Sequence, residues 1–239
     1  MQSPSNWRLW FWHALVPLLL FGVLLLLFEP SDLDLVLSDP FYRAAAGGWI
    51  YRESWWAKAL LHKGGKLLVV AMAVGMLGVL LTPRLRRWRR AALFLLLSIG
   101  LGTGGVALAK ASINRHCPWD YQRYGGTVVY LPLFSEPAAA AKVGHCFPAG
   151  HASGGFSLLG SYFVYHRRCR RRAWAGLAVG LLLGSLFGFG QLARGAHFVS
   201  HNIWTAAYCW AVALVLYVVP FGGRLLDHPP APAVSSERP

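Results

Sequence analysis

Charge is scarce in this chain, and acidic charge scarcest: nine Asp and Glu stand against 23 Lys and Arg in 239 residues, and only 13% of the chain is charged. Soluble domains carry about a quarter of their residues charged, so a water-facing globule is excluded and a bilayer is the matching solvent. Cysteine is thin as well. Four residues (Cys117, Cys146, Cys169, Cys209) with no C-x-x-C pair exclude a disulfide scaffold and give no sign of zinc or thioredoxin-like chemistry. No H-E-x-x-H accompanies the histidines, so no metal site is expected. No nucleic-acid-binding motif accompanies the net charge of +14, so nucleic acid is not an expected partner. No internal repeat is present.

What is abundant is apolar sequence, 56% of residues. It falls into six runs: 9–28, 67–82, 91–110, 154–165, 173–193 and 203–221. About twenty residues are needed to cross the hydrocarbon core, so the second and fourth runs are short and must borrow flanking residues; the fourth is expected to begin near Phe147. The first run is long and ends in Leu27-Phe28-Glu29-Pro30 without a small-x-small cleavage site, which makes it a retained span and not a signal peptide.

Ten of the 23 basic residues form two arginine runs: Arg84, Arg86, Arg87, Arg89 and Arg90, then Arg167, Arg168, Arg170, Arg171 and Arg172. Wedged between apolar segments, they read as cytoplasmic topology determinants and contacts for anionic lipid headgroups. Both termini then lie inside, with Arg8 and Arg224 in agreement, and the first, third and fifth loops face the outer compartment. The first outer loop, 29–66, mixes acidic turns with Trp49, Trp55 and Trp56, a pattern for interfacial helices in the headgroup region. Gly64-Gly65 is expected to break the chain before the second span. The Pro-, Ala- and Ser-rich tail, 227–239, is expected to be disordered and cytoplasmic. The fold class is all-α, a polytopic membrane protein with six transmembrane helices in a single domain over 1–226.

Polar residues cluster at three places, all on the outer side. The first is Lys110-x6-Cys117-Pro118-Trp119-Asp120, with Arg123 beyond it; alone, its cations could be helix-end residues that snorkel. The second is Cys146-Phe147-Pro148-Ala149-Gly150-His151-Ala152-Ser153, at a helix start. Exposed N–H groups there favour an anion and a histidine beside them can donate a proton, although a capping histidine would look the same. The third, Gln191 to Asn202, sets His197 and His201 four residues apart, which on a helix is one face.

Together the three clusters resemble the signature of the type 2 phosphatidic acid phosphatase (lipid phosphate phosphatase) superfamily: Lys-x6-Arg-Pro, then Pro-Ser-Gly-His, then Ser-Arg-x5-His-x3-Asp. Their order, outer location and the Gly-Ala-His-Phe core at 195–198 match. The resemblance implies that Lys110 binds phosphate, that Gly150 adds a backbone N–H, that His151 is the general acid, and that His197 is the nucleophile forming a phosphohistidine. A rival register makes His201 the nucleophile but misplaces Gly-Ala-His-Phe. The sequence departs from the pattern at four positions. Cys117 stands for the first arginine, Ala149 for the serine, Gln191 for the third-motif arginine, and His201 for the aspartate. Arg115, Arg123 and Arg194 are the guanidinium groups offered as compensation, Arg123 and Arg194 first, the latter because it lies three residues before His197. A neutral His201 is expected to accept a hydrogen bond from the His197 ring.

The implied activity is removal of phosphate from a membrane lipid phosphate or diphosphate on the periplasmic face of a bacterial inner membrane. Undecaprenyl diphosphate, phosphatidylglycerophosphate, phosphatidate and lipid A are the candidate substrates. Neither metal nor cofactor is implied, because Lys110 and the arginines supply positive charge. A phosphotransferase using the same intermediate and a non-catalytic transporter or assembly protein are the alternatives. Cys117 and Cys146 lie on the outer side, where an oxidising compartment allows them to pair. Cys169 and Cys209 are expected to be packing residues.

Overall fold

A computed structural model describes residues 6–29, 31–132, 134–135 and 144–226; the tail expected to be disordered, 227–239, lies outside the described residues. In chain order the elements are Trp7–Phe28 (α1), Leu33–Ser38 (α2), and an antiparallel hairpin of Tyr42–Arg43 (β1) and Gly48–Trp49 (β2). Then come Trp56–Leu81 (α3) and Pro83–Ser112 (α4). A helical rod over 150–165 (α5) follows, built from Gly150–Phe156, a tighter stretch Ser157–Gly160, and Ser161–Tyr165. Arg170–Ala193 (α6) and Val199–Val218 (α7) complete the described chain. The protein is mostly helical, and among the described residues α1, α3, α4, α6 and α7 are long and apolar enough to cross a membrane.

The fourth apolar run behaves differently from the other five. It becomes α5, shorter than a full crossing requires and buried along most of its length by α3, α4, α6 and α7. Its composition explains the burial: Gly155 lets the α6 backbone come close, while Gly154 and Gly160 admit the side chains of Val69, Ser98 and Phe94. Helices that pack without a hydrophobic drive between them rely on such small residues. Gly176, Gly180 and Gly184 stripe the facing side of α6. A Cβ on Gly180 would lie 2.6 Å from the Leu159 nitrogen, and one on Gly155 would lie 2.3 Å from the Gly184 nitrogen. The two backbones therefore touch.

The start of α3 corrects the sequence reading. The helix begins at Trp56 and runs unbroken through Gly64 and Gly65. Gly65 serves packing and does not break the chain, because Phe187 of α6 lies 2.8 Å from where its Cβ would stand. The loop before it holds α2, two single tight turns at Asp39–Phe41 and Ala44–Ala46, and the hairpin. Leu35 and Trp49 turn inward and pack with Tyr121, Tyr124 and Phe198 as a cap over one end of the helices.

Both arginine runs gather at one end of the bundle. Arg90 Nη2 donates to the Phe221 carbonyl (3.3 Å) and Arg168 Nη2 to that of Leu226 (3.2 Å). Leu9, Phe163, Tyr217 and Leu225 share a buried cluster there. The three polar clusters therefore lie at the opposite end, where α4 and α6 finish and α3, α5 and α7 begin.

The backbone contact between α5 and α6 gives a testable consequence. Gly180→Leu forces the helices apart; overpacking of this kind costs about 3 kcal/mol, which lowers the thermal midpoint in detergent by roughly 10 °C. Gly22→Leu, on α1 with nothing within 4 Å of its Cβ position, is expected to leave the midpoint unchanged. Equal midpoints for the two variants would refute the close-packed interface.

Candidate active site

The segment leaving α4 is stitched to the segment entering α5. The Arg115 N–H donates to Gly144 O (3.2 Å), the Cys146 N–H to Arg115 O (2.8 Å), and the Gly144 N–H to Asn114 Oδ1 (2.7 Å). Cys117 and Cys146 are joined by a disulfide, with Cα atoms 5.1 Å apart. His145 Nδ1 donates to the Lys110 carbonyl at 3.0 Å. The pairing lays the last turn of α4 beside the first of α5, so Lys110 Nζ lies 3.6 Å from where a Cβ on Gly150 would stand.

His151 follows on the first turn of α5. Its Nε2 lies 2.9 Å from the Leu61 carbonyl of α3. A carbonyl only accepts, so Nε2 carries a proton and Nδ1 is left for exchange with a ligand. The His62 ring is 4.6 Å away, centroid to centroid.

The third segment is shaped by one glycine. α6 ends with Gly195 N–H donating to Leu192 O and Ala196 N–H to Gln191 O, both 2.9 Å, the paired bonds of a Schellman turn. Gly195 has φ +76, and a Cβ on it would lie 2.2 Å from the Trp49 ring. The left-handed backbone and the tryptophan both demand glycine. Its carbonyl accepts the Trp119 N–H at 3.1 Å, tying the first cluster to the third.

After this turn Phe198 is extended and α7 begins at Val199, so His197 sits in a loop and His201 on a helix. The spacing argument that put both on one helical face does not hold. Their rings are 5.8 Å apart at 65°. Both Nδ1 atoms are buried with no hydrogen-bond partner among the described residues. The expected bond from His197 to His201 is therefore missing, because the reversal at Gly195 and the extended Phe198 set the two rings on different elements. The same reversal removes the helical-turn argument for Arg194.

A cavity of about 560 Å³ opens among these elements. Lys110, Gly150, His151 and His197 line it, brought from three separated segments; His62, Lys66 and Gln191 line it too. Val69, Val70 and Phe187 form an apolar part of the wall between the spans. His201 lies behind His197, against Phe147 and Phe198. The three arginines offered as compensation are outside the lining. Arg123 forms a two-point pair with Asp39 (2.9 and 2.6 Å), which holds that carboxyl below its ordinary range. Arg194 donates to Arg52 O (3.0 Å) and reaches Gln191 Oε1 at 3.5 Å. Arg115 donates to Asn114 O and Ser135 O.

His197 is held neutral. Burial pushes its pKa well below the ordinary value, with His201 and Lys110 adding to the effect, while a contact with the Cys146 backbone works the other way. The imidazole therefore presents a lone pair at neutral pH. Sequence reasoning missed His62 and Lys66, which it left in the first outer loop. Their i,i+4 spacing was the available signal, hidden by reading Gly64-Gly65 as a break.

The start of α7 is capped by a residue far off in the chain: Asp34 of α2 accepts the Ser200 N–H at 2.9 Å and a short bond from Ser200 Oγ. Burial raises the Asp34 carboxyl to about 6, against the lowering effect of the Ser200 bonds.

A family model described as PAP2 superfamily matches residues 91–224, more than half of the chain. No curated protein and no solved structure matches it.

The Asp34 environment makes stability pH-dependent. From about 3.8, the ordinary value, up to about 6, the folded state keeps a proton that the unfolded chain has released. Stability is full below that window, falls through it by about 3 kcal/mol, and levels above it. Asp34→Asn has no such proton to lose. The difference in thermal midpoint, wild type minus variant, is expected to drop by roughly 10 °C between pH 4 and 7; a flat difference would reject this.

Proposed function

The chain belongs to the PAP2 superfamily, and from that premise we propose that it removes phosphate from a membrane lipid through a phosphohistidine on His197. The family supports phosphatase-type action on phosphate esters. The observation that carries the finer reading is the shared cavity, where Lys110, His151 and His197 meet in front of a wall of Val69, Val70 and Phe187. A polar end for a phosphate and an apolar end between membrane spans suit an amphiphile better than a soluble ester.

In this reading a neutral His197 nitrogen attacks phosphorus in line, and the bond from phosphorus to the lipid oxygen breaks. His151, with Nε2–H on the Leu61 carbonyl, takes the proton of the arriving phosphate monoanion on Nδ1 and passes it to the leaving oxygen. Water then attacks the phosphohistidine while His151 Nδ1 takes a proton from it; phosphate leaves and His197 is regenerated. Lys110 and the Gly150 N–H hold phosphoryl oxygens as charge spreads over them. The cation supplies the charge stabilisation, so no metal step is needed.

The arginine-rich end is assigned to the cytoplasm, where anionic headgroups would meet it. The cavity then faces the periplasm, with both termini inside. Rod α5 is assigned as the sixth crossing, completed by the loop residues before Gly150. Undecaprenyl diphosphate, phosphatidylglycerophosphate, phosphatidate and lipid A, each an amphiphile with a phosphate headgroup, are the candidate substrates.

Phosphate release by the purified protein is to be measured across these lipids with a chelator present. Wild type is expected to release phosphate, and His197→Ala to fall by about a thousandfold or more. Acid-labile label from a phosphate-labelled lipid should appear on wild type and be missing from His197→Ala. Undiminished release by His197→Ala, or release abolished by chelator, would overturn the mechanism.

A further inference from the structure

We infer that α3 supplies phosphate-binding groups the three motifs no longer carry: the His62 Nε2–H and the Lys66 ammonium take phosphoryl oxygens beside Lys110. This rests on the phosphatase reading, and α3 lies outside the residues the family model matches.

A phosphate monoester carries about −1.5 to −2 at neutral pH, and Lys110 answers only one unit of it. The arginines that could supply the second are held elsewhere, by Asp39 and by backbone carbonyls. Lys66 lines the same cavity and makes no ion pair among the described residues. A lysine at membrane level without a counter-charge is costly unless it meets an anion there. His62 stands four residues before Lys66 on an unbroken helix, so both project from one face.

The orientation of His62 follows from its partners. Arg194 can only donate, so its contact with Gln191 selects the amide oxygen for that side. The Gln191 NH₂ then faces His62 Nδ1 at 2.9 Å. An amide N–H can only donate, so Nδ1 must accept and the proton of the neutral ring sits on Nε2. Gln191, at the position where the signature has arginine, is a positioning residue. It fixes a donor on α3 instead of donating to phosphate with a guanidinium. With its ring 4.6 Å from that of His151, His62 stands at the proton-donating side of the cavity.

The test uses the full-length protein in detergent, with inorganic phosphate as the binding probe and lipid-phosphate turnover alongside. Wild type, Lys110→Gln, Lys66→Gln, Lys66→Arg and His62→Ala are compared. Lys66→Gln and His62→Ala are each expected to weaken phosphate binding about tenfold, the scale of one charge-assisted hydrogen bond. KM should rise in step with the loss of phosphate binding. Lys66→Arg should restore binding, which separates loss of charge from loss of fold. Phosphate binding unchanged in Lys66→Gln and His62→Ala, while Lys110→Gln loses it, would overturn the role of α3 and leave the phosphatase reading standing. A wild type that neither binds nor releases phosphate would remove both.

Discussion

The half of the molecule that holds the cavity depends on the contact between α5 and α6, backbone against backbone. Gly155 meets Gly184 and Gly180 meets Leu159 so closely that no Cβ fits between them. That contact fixes how far α5 stands along α6, and with it the level at which His151 emerges at the end of α3. Leu61 can then accept from the His151 ring, and Gln191 at the end of α6 can reach His62 on the other side. In a bilayer there is little hydrophobic drive between helices, so small residues and interhelical hydrogen bonds carry the association. Here the small residues lie deep in the bundle and the hydrogen bonds at the rim beside the cavity. Depth is set by one and rotation by the other.

The electrostatics of the rim follow from that geometry. No acidic side chain lines the cavity, and the carboxylates around it are bonded elsewhere: Asp39 to Arg123, Asp34 to the first turn of α7, Asp120 to the Cys117 N–H and Glu53 to Lys58. The cavity therefore has a surplus of donors and cations with no resident anion, and a buried His197 that burial and Lys110 keep neutral. Such a surplus is expensive in low dielectric unless something negative enters. On the proposed reading, selectivity for an anion comes from what surrounds the cavity as much as from what lines it, because Asp34 and Asp39 are turned toward structure.

Much of this was legible from the residues. Scarce charge, apolar runs and paired arginine runs implied a helical membrane protein with its polar clusters at one end, and the family follows from 91–224. Three local features escaped, each for a physical reason. Two adjacent glycines look alike whether they break a helix or admit Phe187, and only the partner helix decides. His197 and His201 have helical spacing, but Gly195 at φ +76 reverses the chain just before them. The cap of α7 comes from Asp34, a contact across most of the chain that no local pattern encodes. The three arginines stand outside the cavity lining for a related reason: each is bonded to a carboxylate or carbonyl close to it in space.

The substitution of histidine for aspartate at position 201 bears on the chemistry more than on the fold. A carboxylate behind a nucleophilic imidazole raises its basicity and stabilises the cation it becomes. His201 gives no charge, and in its place the nearest buried carboxylate, Asp34, bonds Ser200 at the start of α7. On the proposed reading His197 is then a weaker nucleophile toward phosphorus. By the same token it is a better leaving group from the phosphohistidine, since the group that resists taking a proton also resists holding electron density in a new bond. Attack is slowed and hydrolysis of the intermediate is eased. For the cycle to run, the lost driving force must return in the first step, where the phosphate, dianionic once its proton is on His151, lies among Lys110, Lys66 and the Gly150 N–H. Its charge raises the basicity of His197 only while substrate is bound, so the site becomes most nucleophilic when it is occupied.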